Sequence, residues 1–150
     1  MHETPTGALR ARCEDEVVEL HRFFQDWYRG TIDAGGEGFA RMSDVLAEGF
    51  HLVTPEGTLV GRGEILASVR GAHGSRGPGF TIRTRECRFR AGGRGLGVVT
   101  YEEWHEEGRS RRGRISTAVF QDRADAPNGV EWVHVHETWI PGGGGHDEAP

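Results

Sequence analysis

The first third of the chain places apolar residues at the spacing of an amphipathic helix. Seven apolar positions recur every three or four residues and share one face: Leu9, Cys13, Val17, Leu20, Phe24, Trp27 and Tyr28. Two shorter stretches follow the same rule, one with Phe39, Met42 and Leu46 inward and one over residues 62–71. The pattern therefore predicts one long helix followed by two short ones.

The rest of the chain alternates apolar and polar residues with a period of two, as half-buried strands do. The predicted strands cover residues 50–54, 58–60, a long segment from Phe80, 96–105, 114–122 and 130–140. In the long segment the apolar parity changes between Ile82 and Cys87, which predicts a β-bulge. Helices followed by a strand meander indicate an α+β fold, with a curved, mostly antiparallel sheet and the N-terminal helices on its concave face.

Length and composition indicate one globular domain. The chain has 150 residues, of which 35% are hydrophobic and 27% charged, enough to bury a core. We expect disorder in the polar segment 1–7 and in the glycine-rich tail 142–150, which leaves one domain over residues 8–141. No apolar run approaches the ~20 residues of a membrane span, and the start lacks the apolar core of a signal peptide. No membrane partner is expected.

Charge and residue usage exclude several classes of function. The net charge is -5 with no basic cluster, so no nucleic-acid partner is expected. All 18 basic residues are arginine, which removes lysine chemistry such as a Schiff base. The glycines at 92, 93 and 95 lie between two strands and do not open a helix, so no nucleotide loop and no cofactor are predicted. Cys13 and Cys87 lack the spacing of metal-binding or redox-active cysteines. We therefore expect both to be apolar residues that fill space in the core of a protein in a reducing cytoplasm.

The strand faces predict where a site lies. We assign the more apolar face of each strand to the interior. On the last strand the inward residues are then Val133, Val135, Glu137 and Trp139. On the strand 96–105 they are Leu96, Val98, Thr100, Glu102 and Trp104. Two carboxylates, Glu102 and Glu137, would then share the interior with two tryptophans, and their proximity would raise at least one pKa. This indicates a lined pocket, although either glutamate could instead reach the sheet rim or pair with an arginine.

The opposite strand face is unusually aromatic for an exposed surface. It is predicted to carry Tyr101, Trp132, His134 and His136, and such a patch favours a two-fold homodimer contact. His134 and His136, with His105 on a neighbouring strand, could also be read as metal ligands. The cupin pattern, however, needs a glutamate a few residues after the pair, and Glu137 is adjacent to it and on the other face. No metal site is predicted.

Three segments together resemble a known superfamily. They are residues 46–57 (LAEGFHLVTPEG), 61–65 (GRGEI) and 132–139 (WVHVHETW). In order and spacing they resemble the nuclear transport factor 2-like superfamily, which includes SnoaL-like cyclases, ketosteroid isomerase, the kinase association (hub) domain and many small bacterial proteins. The resemblance covers about residues 8–141. It implies a cone formed by a curved, cystatin-like sheet around a pocket, commonly in a dimer.

The functional residues of those relatives do not carry over simply. The resemblance places Thr54 where the isomerases hold a carboxylate base, and a threonine cannot abstract a proton at neutral pH. Tyr28 matches loosely the helix tyrosine that such isomerases use to hold an oxyanion. Ala118 and Trp139 occupy the positions of the hub domain's pocket arginines, so the anion pocket of that domain is expected to be missing.

The sequence thus favours a small-molecule-binding domain whose ligand is neutral or cationic and partly apolar. The predicted ligand-binding residues are Tyr28, Thr54, Thr100, Glu102, Trp104, Glu137 and Trp139. An alternative is an isomerase, dehydratase or cyclase with Glu137 or Glu102 as general base. A further alternative is a homo-oligomeric interaction module that uses the outer sheet face.

Overall fold

A computed structural model describes residues 5–35 and 37–142 of the chain. Within them lie three helices and six strands: α1 (Pro5–Arg29), α2 (Ala40–Ser43), β1 (Leu46–Val53), β2 (Leu59–Gly61), α3 (Arg62–Gly71), β3 (Thr81–Gly93), β4 (Leu96–Glu107), β5 (Ser110–Asp122) and β6 (Val130–Trp139). Of the segments predicted to be disordered, residues 5–7 lie in α1 and residue 142 follows β6. The remainder of those two segments lies outside the described residues. Leu46, predicted in the second helix, instead begins β1.

The six strands form one sheet in the order β2-β1-β6-β5-β4-β3. All neighbouring strands are antiparallel except β1 and β6, which run parallel. The long helix α1 packs across this sheet, mainly against β3 and also against β4 and β6. The predicted α+β fold with an N-terminal helix on a curved, mostly antiparallel sheet is confirmed.

The apolar stripe of α1 supplies much of the core. Cys13, Val17 and Trp27 have no exposed surface, and a large apolar side chain contributes roughly 1.5–3 kcal/mol when fully buried. The indole Nε1 of Trp27 donates to the carbonyl oxygen of Val69 at 2.7 Å, which ties α1 to α3. In the described part of the chain, no helix is long and apolar enough to cross a membrane.

The predicted bulge in β3 is confirmed. Pairing with β4 shifts between Arg85 and Arg88, and Glu86 at the shift has a φ of 53°. The extra residue shifts the alternation of side chains between the two faces by one position, so that an even-numbered and an odd-numbered residue can face the same side. Ile82 before the bulge and Phe89 after it therefore both pack toward the core.

A second bulge overturns the predicted orientation of Trp132. The pairing of β5 with β6 shifts between Val119 and Phe120, so that Phe120 pairs with Trp132 and Val119 with His134. Val133 is the extra residue, and the parity of β6 changes there. Trp132 consequently lies inside, with 2% of its surface exposed, and its indole donates to Glu16 of α1 at 2.9 Å. It is therefore not on the outer sheet face.

The predicted orientation of β4 is wrong along its whole length. Tyr101 and Glu103 face the interior and are almost fully buried, so Tyr101 also is not on the outer face. Thr100, Glu102 and Trp104 alternate with them and lie on the outer face of the sheet.

A contact between strands explains this error. Trp104 is 6% exposed although it lies on the outer face. It pairs with Gly113 of β5, where a Cβ atom would approach the indole ring to 2.5 Å. The guanidinium of Arg111 covers the ring at 3.8 Å from its centroid. The glycine and the arginine thus bury a tryptophan outside the core, which made both faces of β4 look apolar.

Candidate functional site

A cavity of about 290 Å³ lies between α1 and the inner face of the sheet. Aromatic rings from α1 and β6 contribute to its walls, among them Phe24, Tyr28 and Trp139. Apolar side chains of β1 complete this part, including Phe50 and Leu52. The volume is close to the lower end of the range for ligand pockets, and a mostly apolar lining is typical of them.

One wall of the cavity carries a buried polar cluster centred on Glu103. Its Oε1 lies 3.0 Å from His21 Nε2, and its Oε2 accepts from His105 Nε2 at 2.7 Å and from Arg114 Nη2 at 2.9 Å. Burial opposes ionisation, but the charges of Arg114 and His21 and these hydrogen bonds outweigh it, so the pKa of Glu103 lies well below its usual range. Glu103 is therefore a fixed carboxylate whose acceptors are already engaged.

His21 supports this cluster from α1. Its Nδ1 lies 2.7 Å from the carbonyl oxygen of Val17, and its Nε2 faces Glu103. Because both neighbours are acceptors, both ring nitrogens act as donors. Burial favours the neutral ring, but the attraction of Glu103 prevails and raises the pKa of His21 above its usual value.

Glu137 lies in the same cavity in a very different state. It is 7% exposed, and its nearest cation is Arg114, whose Nε lies 3.5 Å from Glu137 Oε2. That Nε is buried without a hydrogen-bond partner among the described residues. Burial raises the pKa of Glu137 to about 7, with Arg114 opposing the shift and Glu103 adding to it. Near neutral pH this carboxyl group can either accept or donate a proton.

Register across three strands assembles these groups. Glu103 of β4 is paired with Arg114 of β5, and Arg114 is paired with Trp139 of β6. Glu137 pairs with Ser116 on the same inner face. A row of inward side chains thus crosses the sheet, with a carboxylate at one end and an indole at the other.

The mouth of the cavity is formed by the turn between β1 and β2 and by the end of β6. Thr54 and Glu56 from the turn line the cavity. The indole Nε1 of Trp139 donates to Glu56 Oε2 at 3.1 Å. Tyr28 lines the cavity from α1, and burial raises its pKa to about 12, so its phenol keeps its proton.

The structure brings together four of the seven predicted ligand-binding residues. Tyr28, Thr54, Glu137 and Trp139 line the cavity. The other three, Thr100, Glu102 and Trp104, are on the outer face for the reason given above. Their predicted place in the pocket, and Glu102 as a base within it, are therefore corrected.

The predicted outer patch is divided in the same way. Tyr101 and Trp132 line the cavity, whereas His134 and His136 lie on the outer face with ring centroids 6.5 Å apart. Among the residues that the structure describes, no group of three or more histidine, cysteine, aspartate or glutamate side chains is arranged to hold a metal ion.

Sequence reasoning missed three residues of the cluster: His21, Glu103 and Arg114. The hub domain's pocket arginines were expected to be missing because Ala118 and Trp139 occupy their positions, but Arg114 brings an arginine to the cavity from another position of β5. His21 carried a usable signal, since it lies one helical turn after Val17 and one before Phe24 on the predicted buried face. Glu103 and Arg114 become neighbours only through register.

Comparison with known proteins gives a family for the chain. The family described as sucrose-6-phosphate phosphohydrolase C-terminal matches residues 13–141. Two curated relatives from Nicotiana tabacum are sucrose-phosphatase 2 and sucrose-phosphatase 1, which are 27% and 26% identical over 136 residues. Each alignment covers 89% of this chain and 32% of the relative. The chain thus spans about a third of the length of these relatives.

Solved structures agree with the fold. A nuclear transport factor 2-like protein of unknown function from Pseudomonas aeruginosa is 25% identical with a TM-score of 0.76, covering 86% of this chain and 98% of that one. The CaMKII hub of S. rosetta, at 15% identity and a TM-score of 0.63 over 93% of this chain and all of that one, shares the fold. The predicted resemblance to the nuclear transport factor 2-like superfamily is confirmed, and the chain belongs to the family of sucrose-6-phosphate phosphohydrolase C-terminal domains.

Proposed function

We propose that the cavity binds a small, neutral, partly apolar molecule that carries hydroxyl groups. The observation that carries this proposal is Glu137, a nearly buried carboxyl group for which no hydrogen bond is found within the described residues. A ligand hydroxyl would supply a hydrogen bond to this carboxyl group. The sequence also allowed a cationic ligand, but the guanidinium of Arg114 beside Glu137 disfavours a second cation there.

Sugars are the first class to test. They combine hydroxyl groups with apolar C–H faces, and the rings of Trp139, Tyr28 and Phe24 offer flat apolar surface for those faces. The tobacco relatives are named for sucrose phosphate, which makes sucrose the first neutral probe. The cytoplasmic location expected from the two cysteines remains part of the same proposal.

Calorimetric titration of the full chain with sucrose tests the proposal. Replacing Glu137→Leu keeps the approximate volume and removes the acceptor, so binding should weaken at least tenfold, since hydrogen bonds to charged groups contribute about 1.5–3 kcal/mol. Glu102→Leu is the matched control on the outer face and should change the affinity less than twofold. Equal losses in both variants, or no heat of binding up to millimolar sucrose, would contradict the proposal.

A second candidate function is an isomerase, dehydratase or cyclase with Glu137 as general base. The specific observation is its pKa of about 7, which suits proton transfer at neutral pH. The protonated phenol of Tyr28 lines the same cavity and could donate to an oxyanion. With a substrate in hand, Glu137→Gln should lower turnover by about 10²–10⁴. A loss below tenfold would argue against this role.

We also propose that the outer sheet face is a contact between two copies of the chain. Ile115 on the central strand β5 is 47% exposed and lies on the same face as His134 and His136. An exposed apolar residue in a sheet face favours association. Light scattering should give a dimer that Ile115→Asp dissociates, while Val18→Asp, at a residue 37% exposed on α1 on the other side of the sheet, leaves it intact. A wild-type monomer at tens of micromolar would contradict the contact.

A further inference from the structure

Two histidines of β6 lie side by side on the outer face of the sheet. His134 and His136 alternate with the buried residues Val135 and Glu137, and His136 is exposed. Their ring centroids are 6.5 Å apart. Within the described ranges, neither ring makes a hydrogen bond or lies within ion-pair distance of a carboxylate. Each imidazole can therefore offer a ring nitrogen to a ligand.

This histidine pair lies among uncharged side chains and a third imidazole. On β5, His134 is paired with Val119 and His136 with Thr117. On β1, the partner of His134 is His51. A ligand on this part of the face would thus meet imidazole nitrogens and no paired carboxylate. Imidazole suits transition metals such as zinc, whereas magnesium and calcium prefer oxygen ligands.

The histidine pair also falls within the contact proposed between two copies of the chain. Ile115 is paired with Thr138, two positions after His136, so Ile115 and His136 are diagonal neighbours on one face. A contact centred on Ile115 therefore covers the pair. Removing imidazole nitrogens from water without giving them a new partner costs free energy. The contact is consequently more stable if something binds those nitrogens.

A single copy cannot complete a metal site with this pair. Among the described residues, no group of three or more histidine, cysteine, aspartate or glutamate side chains is arranged around one point. Structural zinc takes four ligands in a tetrahedron. A two-fold contact presents the same patch from both sides, so two copies together would present four imidazoles.

We propose that a divalent transition-metal ion bridges two copies, bound by His134 and His136 of each copy. Two imidazoles that share a tetrahedral zinc ion have ring centroids roughly 5 Å apart, given Zn–N bonds of about 2 Å. The observed separation of 6.5 Å is closed by a small rotation of the exposed His136 side chain. This inference rests on the contact proposed above and adds a ligand to it.

Sedimentation of the untagged full chain in zinc and in EDTA tests the bridge, since a histidine tag would itself bind the metal. Zinc should lower the dissociation constant of the wild-type dimer at least tenfold relative to EDTA. Elemental analysis after dialysis should give one zinc ion per two chains. His136→Gln should reduce the effect of zinc to less than twofold, while its dissociation constant in EDTA stays within threefold of the wild type.

His51→Gln is the matched control. It makes the same change on the same face, at an exposed ring whose Nδ1 donates to the carbonyl oxygen of Gly49 at 2.8 Å. This variant should keep the effect of zinc. If it loses the effect as fully as His136→Gln does, zinc binds the whole histidine patch and the assignment to His134 and His136 is wrong.

The outcomes separate the metal bridge from the contact itself. Equal dissociation constants in zinc and EDTA overturn the bridge and leave the contact intact. Zinc bound at one ion per chain, without a change in association, also overturns it. A monomer in both solutions overturns the bridge and the contact together. A monomer in EDTA that becomes a dimer in zinc supports the bridge.

Discussion

Glu103 and Glu137 lie on the same inner face, approach the same arginine and end in opposite states. Glu103 meets three donors within 3.0 Å, whereas Glu137 has only the Nε of Arg114 at 3.5 Å. Both carboxyl groups are nearly inaccessible to solvent, so burial alone cannot explain the difference. The number of hydrogen-bond donors determines the difference in pKa between the two groups. Glu103 stays ionised, whereas Glu137 can gain or lose a proton near neutral pH. Such a divided pair is typical of functional sites.

The largest effect is expected from removing the fixed charge. Glu103→Gln would remove the counter-charge that the buried cations Arg114 and His21 share and leave Arg114 only the longer contact with Glu137 at 3.5 Å, so the loss should be about 3–5 kcal/mol in the free energy of unfolding. Urea denaturation at pH 7 measures it.

The double variant Glu103→Leu with Arg114→Met sharpens this test. Replacing both partners by apolar residues removes the guanidinium together with its counter-charge, and without Glu103 burial favours the neutral ring of His21. The double variant should therefore lose less stability than either single change. A single variant that loses under 1 kcal/mol would show that the cluster does not hold the sheet and α1 together.

A smaller effect of opposite sign is expected at Glu137. Its pKa rises from 4.5 in the unfolded chain to about 7 in the folded one, so the folded protein binds the proton more tightly. The stabilisation is complete below pH 4.5 and is lost as the pH rises through 7. Glu137→Gln should therefore be roughly 3 kcal/mol more stable than the wild type at pH 8, with the difference shrinking toward pH 5.

Urea midpoints of the two proteins at four pH values between 5 and 8 check this prediction. If the stabilities of the two proteins change with pH in parallel, the pKa of Glu137 is the same in the folded and the unfolded chain. Its role as a base and its contrast with Glu103 would then both be wrong. Glu103 shifts in the other direction, so its own contribution is present above pH 4.5 and falls away in acid.

The helices were predictable from the sequence because their signal is local. The stripe that includes Cys13, Val17 and Trp27 repeats at the helical period, and these residues are fully buried. The predicted third helix, residues 62–71, has the bounds observed for α3. In each case the residues that determine the element lie within a few turns of one another.

The strand faces were only partly predictable because contacts between strands decide them. Glu137 and Trp139 were placed correctly on the inner face, since β6 is regular after its bulge at Val133. Trp104 misled the assignment of β4, because its burial depends on Gly113 and on Arg111 of another strand. No periodicity within β4 contains that information.

The polar cluster was missed for a related reason. Glu103 and Arg114 are eleven positions apart and meet only through the register of β4 and β5. A one-residue shift in that register would turn one of them outward. A charged pair of this kind can be found from sequence only after the hairpin between the two strands has been aligned.

The smallest effect is expected at Glu102, the neighbour of Glu103 in the chain. Glu102 lies on the outer face, where it accepts a hydrogen bond from Trp104 Nε1 at 2.9 Å. The amide oxygen of Glu102→Gln can keep that bond, and no buried charge is created. The stability should therefore change by less than about 0.5 kcal/mol, as for most surface substitutions. A loss approaching that of Glu103→Gln would mean that β4 is turned the other way, which would remove Glu103 from the cavity and, with it, the contrast between the two carboxylates.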